Sequence, residues 1–78
     1  MRSFKTELYK VSFGQSEYDS LKEVSIEKLS DESDYRTYYG FPMLCEYLVE
    51  LICGGQMSRA EASKTIAKAM IHLTEEVN

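Results

Sequence analysis

The sequence predicts a small α+β domain, an N-terminal antiparallel β-hairpin packed on a C-terminal two-helix hairpin, and three local patterns lead there. Tyr9, Val11 and Phe13 alternate with Lys10 and Ser12, the period of a strand with one buried face. Met43 to Cys53 gathers its apolar residues on one broad arc of a helical wheel. Ser58 and Glu61, which follow Gly54-Gly55, have the spacing of a helix-capping box. A chain of 78 residues makes one domain, mainly β and turns over 1–41 and an αα-hairpin over 42–78.

Taken in order, the first strand is expected over Phe4 to Phe13, followed by a turn at Gly14 and the polar residues after it. Leu21 to Leu29 reads two ways: Val24 and Ile26 alternate like a strand, while Tyr18, Leu21 and Leu29 sit near helical spacing. Strand is preferred, because the first strand needs a partner for its backbone N–H and C=O groups and the next segment is the usual one. Ser30 to Asp34 is then a polar turn, and Tyr35, Thr37, Tyr39 and Phe41 alternate in a manner compatible with a short third strand. Pro42 suits the first turn of a helix, where its missing N–H costs nothing. In the second helix, Ala62, Ile66, Ala69, Met70 and Leu73 form the expected packing face, with Lys64, Thr65, Lys68 and His72 on the polar stripe.

A domain this size buries only about 60% of the surface its unfolded chain exposes, so a disulfide, a metal or a partner chain is worth looking for. Cys45 and Cys53 on one helix would stand roughly 12 Å apart, too far for a disulfide, and are expected to be buried and reduced. The single histidine, His72, has no metal-binding companion at a suitable spacing and reads as a surface residue, so no metal or other cofactor is expected. With no secretory leader and no apolar run of about 20 residues, a cytoplasmic protein with no membrane partner is expected.

The net charge of −4 is regional. Gln15 to Tyr35 holds seven acids (Glu17, Asp19, Glu23, Glu27, Asp31, Glu32, Asp34) against Lys22 and Lys28, which makes that segment −5 by itself. Such a distribution disfavours attraction to a phosphate backbone and favours a basic protein surface. Helix, glycine turn and helix at Cys53 to Ala67 raise the question of a DNA-reading helix-turn-helix. Its would-be recognition helix offers only Arg59, Lys64 and Lys68 beside an apolar and alanine surface, so direct nucleic-acid binding is the weaker option. Neither a phosphate loop nor a nucleophile elbow occurs, and Glu46 with Glu50 reads as a solvated stripe, so an enzyme is not expected.

What remains is acidic and rich in tyrosine: Glu17, Tyr18 and Asp19, then Asp31, Glu32, Asp34, Tyr35, Arg36, Tyr38 and Tyr39. Tyrosine gives a large contact area at low entropic cost, and flanking acids steer a basic partner, so these ten residues are the expected partner-binding surface. The expected function is a small acidic protein–protein interaction module, an inhibitor or adaptor. In size and charge alone it resembles small phage inhibitors of host defence, anti-CRISPR proteins among them, with no motif that identifies a family. The alternative is a homodimeric regulatory or structural protein that pairs through the first helix at Tyr47, Leu48, Leu51 and Ile52.

Overall fold

The structure, a computed structural model, describes residues 2–16 and 21–74. Four strands, β1 (Arg2–Lys5), β2 (Tyr9–Gln15), β3 (Lys22–Lys28) and β4 (Asp31–Tyr38), precede two helices, α1 (Phe41–Cys53) and α2 (Arg59–Thr74). The strands form one antiparallel sheet in the order β1-β2-β3-β4, and the two helices pack on one face of it. The α+β class and the order of sheet before helical hairpin are as the sequence predicts. The sheet is larger than expected, with four strands.

The extra strand comes from the N-terminus, where Phe4 to Phe13 is a hairpin and not one strand. Its turn has neither glycine nor proline. Instead the Thr6 N–H donates to the Tyr9 carbonyl at 2.7 Å and the Thr6 hydroxyl accepts from the Tyr9 N–H at 3.0 Å. Leu21 to Leu29 does hold a strand, β3, paired along its whole length with β2. β4 starts at Asp31, inside the stretch expected to be a turn, because only Leu29 and Ser30 are needed to reverse the chain. Glu27 pairs with Tyr35 but Lys28 pairs with Asp31, so Glu32, Ser33 and Asp34 leave the ladder as a bulge. The Asp31 carboxylate holds the bulge by accepting from the Ser33 N–H at 3.1 Å and the Ser33 hydroxyl at 2.7 Å.

Register sorts the side chains onto two faces. Toward the helices run the cross-strand rows Phe4, Val11, Ile26, Arg36 and Arg2, Phe13, Val24, Tyr38. Away from them run Lys5, Lys10, Glu27, Tyr35 and Ser3, Ser12, Ser25, Thr37. Val11, Val24 and Ile26 are fully buried under Leu44, Leu48 and Leu51 of α1 and Ala62 and Ala69 of α2.

At the corner between the helices, Gly55 takes φ 71°, and the N–H groups of Gly54 and Gln56 close on the carbonyls of Glu50 and Leu51 at 2.9 Å each. The expected capping box is present: the Glu61 N–H donates to Ser58 Oγ at 3.1 Å, and the Ser58 N–H donates to Glu61 Oε1 at 3.0 Å. Glu61 Oε2 accepts from the Glu7 N–H at 2.8 Å, which ties the β1–β2 turn to the start of α2. The buried face of α2 differs from the expected one. Thr65 and His72 point inward with Ala62 and Ala69, while Met70 is exposed. Both polar side chains bring a partner with them: the Thr65 hydroxyl donates to the Glu61 carbonyl at 2.9 Å, and His72 Nε2 donates to the Gly14 carbonyl at 2.8 Å. His72 is therefore a core residue, its ring edge-on to Phe13 at 5.7 Å, and not a surface one. The cysteines also depart from expectation, since Cys45 is half-buried and Cys53, at the solvent-facing end of α1, is exposed.

Candidate interaction surface

The pleat of β4 divides the tyrosine-rich cluster that the sequence brings together. Tyr35 stands on the uncovered face of the sheet, 62% exposed, beside Glu27 in the cross-strand register. Tyr39 follows the last residue of β4 and is 52% exposed. Arg36 and Tyr38 point the other way. The Arg36 guanidinium lies over the Tyr47 ring at 4.4 Å from its centroid, and the Tyr38 ring packs on Tyr47 at 5.7 Å, so both contribute to closing the edge of the core. Asp31, Glu32 and Asp34 are exposed on the bulge. Glu17, Tyr18 and Asp19 lie outside the described residues.

Two residues left out of the expected surface belong with it, Glu23 and Glu27 of β3. Both are half-buried on the uncovered face, one strand in from Tyr35. The signal for them was present in the alternation of β3, where Glu23, Ser25 and Glu27 interleave with buried Val24 and Ile26. Beside them, Ser25 Oγ and Thr37 Oγ1 hydrogen-bond at 3.1 Å, which pins the side-chain row between β3 and β4.

The four residues expected at a dimer interface are not a free surface of the monomer. Tyr47, Leu48 and Leu51 are buried in the chain's own core, and Ile52 is half-buried against it. Leu44, Tyr47, Leu48 and Leu51 of α1 are buried against the sheet and α2, while Met43 and Val49, also apolar, are exposed.

Charge divides along the sheet. Among the described residues, β1, β2, α2 and their adjoining turns carry Arg2, Lys5, Lys10, Arg59, Lys64 and Lys68 against Glu7 and Glu61, a charge of +4. β3, β4 and α1 carry the seven acids Glu23, Glu27, Asp31, Glu32, Asp34, Glu46 and Glu50 against Lys22, Lys28 and Arg36, a charge of −4. Because α1 packs along β4 while α2 packs over β2 and β3, the two halves sit on opposite flanks of the molecule. The exposed tyrosines lie on the acidic flank. There the Asp31 carboxyl is held below its usual range by its two hydrogen bonds from Ser33, so it stays ionised at neutral pH.

Among the described residues, no three His, Cys, Asp or Glu side chains group to hold a metal ion, and no helix is long and apolar enough to cross a membrane. Compared with protein-family models, curated proteins and solved structures, the chain matches none. The surface itself offers two exposed tyrosines, Tyr39 and Tyr35, the latter in register with Glu27 and next to the carboxylates of the bulge.

Proposed function

We propose that this chain is a protein-binding module that docks a basic surface of a partner protein through the β4 flank of its sheet. The observation that carries this reading is Tyr35, largely solvent-exposed on an uncovered sheet face, in register with Glu27 and next to the carboxylates of the bulge. Tyr35 and Tyr39 supply the contact area. Glu23, Glu27, Glu32 and Asp34 supply a field that steers lysine- and arginine-rich surfaces toward it. A module of this kind acts as an inhibitor where the partner's basic groove normally holds a nucleic acid, its carboxylates standing where phosphates would lie. That is the mode in which the likeness in size and charge to small phage inhibitors of host defence, anti-CRISPR proteins included, becomes a functional statement, for a protein acting in the cytoplasm.

The test compares capture of a host protein by the immobilised chain with capture by two variants, Glu32→Lys/Asp34→Lys and Tyr35→Ala/Tyr39→Ala, at about 0.15 M salt, where exposed charges still interact over about 8 Å. Loss of capture in both is expected, with stability unchanged. A partner retained by both variants overturns the proposal.

A further inference from the structure

On the flank opposite the exposed tyrosines, a cavity of about 140 Å³ opens between Arg2, Ser3 and Phe4 of β1, Phe13 of β2, and Lys68 and Ile71 of α2. Its floor is aromatic, with the Phe4 and Phe13 rings stacked at 6.0 Å between centroids and His72 bracing Phe13 from beneath. Arg2 and Lys68 make its wall cationic; Lys68 Nζ lies 5.7 Å from the Phe4 ring centroid, and Lys64 Nζ, outside the cavity lining, lies 4.9 Å from the same ring. The ring's quadrupole attracts both ammonium groups, and that of Lys68, which lines the cavity, keeps N–H donors for another acceptor. Phe4 is only half-buried and Ile71 is 61% exposed, so apolar surface meets water here beside concentrated positive charge.

We infer that this cavity binds an amphipathic anion, a single aromatic ring or a short hydrocarbon chain that carries one carboxylate. The ring lies against Phe4, Phe13 and Ile71, and the carboxylate lies toward Lys68 and Arg2, the two cations of the lining. Size sets the limit on the ligand. A cavity of about 150 Å³ takes benzene, whereas drug-sized ligands need about 300 Å³ or more, so the apolar part is no larger than one ring. Sign sets the head group: the flank of β1, β2 and α2 carries +4 in a chain that is acidic as a whole, and an amide or alcohol would leave the lysine field unused. This site is independent of the tyrosine surface, and neither reading depends on the other.

The experiment is an amide-resolved NMR titration of the full chain with phenylacetate and, in parallel, with its neutral counterpart phenylacetamide. Saturable shifts are expected at the amides of Phe4, Lys68 and Ile71, with a Kd on the order of millimolar for so small a ligand and the carboxylate about threefold to tenfold tighter than the amide. In Arg2→Gln/Lys68→Gln the carboxylate's affinity should fall to that of the amide. Ile71→Asp, a surface change that leaves the fold in place, should bind neither. No saturable shift at those amides, equal affinity for the two compounds, or a carboxylate preference that survives the Arg2/Lys68 double variant would each overturn the site. So would shifts of the same amides with protein concentration alone, which would mean that a second copy fills the cavity.

Discussion

Raising the pH above 10 should destabilise the wild-type chain more steeply than a Tyr47→Phe variant. Tyr47 is buried between Arg36, Tyr38 and the core, and that burial, with Tyr9 nearby, pushes its hydroxyl from the ordinary 10.0 up to about 12. In the unfolded chain the same hydroxyl ionises near 10. Between pH 10 and 12 the native state therefore keeps a proton that the unfolded state releases, and stability falls as pH rises through that window. Each pH unit of difference is worth about 1.4 kcal/mol, which sets a ceiling of roughly 3 kcal/mol across the whole window. By pH 11 half of that window is crossed, and the edge of the ring opens onto a polar cavity lined by Lys28, Asp34, Arg36 and Glu50, where water screens the charge, so a loss of up to about 1 kcal/mol is expected there. The assay is urea unfolding at pH 9 and pH 11. Tyr47→Phe keeps the ring under Arg36 and removes the titrating group, so its stability should change less between the two. Parallel curves for the two proteins would refute the argument.

Ser58→Ala removes one arm of the capping box and should cost about 1 kcal/mol, seen as a thermal midpoint lower by about 5 °C. Gly55→Ala meets no atom within 4 Å, so its cost is backbone strain alone, about 1 kcal/mol, measured as a shift in urea midpoint at unchanged slope. Tyr35→Ala and Tyr39→Ala should stay within about 0.5 kcal/mol of wild type, whereas Leu48→Ala, fully buried, should cost about 2–5 kcal/mol and leave much of so small a domain unfolded; circular dichroism through a urea series separates the two classes. The Glu61 carboxylate, hydrogen-bonded first by the Ser58 N–H and then by the Glu7 N–H, is held below its ordinary 4.5. Its contribution is therefore present above that value and lost as pH falls below it, so Glu61→Gln should show a shallower loss of stability than wild type between pH 5 and pH 3.

Features decided by neighbours in sequence were legible without the structure. The capping box, the glycine corner and the alternation of β2 are of this kind, because each is set by residues within a few positions of one another, whereas β3 reads as strand or helix locally and is preferred as strand because β2 needs a partner. Features decided across the fold were not. The β1–β2 turn carries no turn residue of the usual sort, and it is held by a threonine hydroxyl and by a glutamate 54 positions away. His72 looked like part of a polar stripe because its partner, the Gly14 carbonyl, lies 58 positions earlier. For the surface, the sequence brought Tyr35, Arg36, Tyr38 and Tyr39 together, and the period of a strand separates them, leaving two tyrosines outward and giving Arg36 and Tyr38 to the packing around Tyr47.

That separation bears on how a partner would be held. The uncovered sheet face is polar along its middle, with the row Ser3, Ser12, Ser25 and Thr37, so water satisfies it and no second layer is required to cover it. Among the described residues, the exposed tyrosines Tyr35 and Tyr39 lie toward β4, so under the proposed function contact with a partner falls at that edge. An edge strand of eight residues would ordinarily invite another strand to add alongside it. Here the bulge at Glu32 to Asp34 breaks the ladder and lines one end of the edge with carboxylates, so a continuous added strand would have to follow an interrupted register past like-directed charges. Side-chain contact with Tyr35 and Tyr39 avoids that obstacle. Under the proposed function, the bulge that deters strand addition also supplies the acidic field for a basic partner, and replacing Glu32 and Asp34 by neutral residues should therefore weaken partner binding while making the chain more prone to self-association.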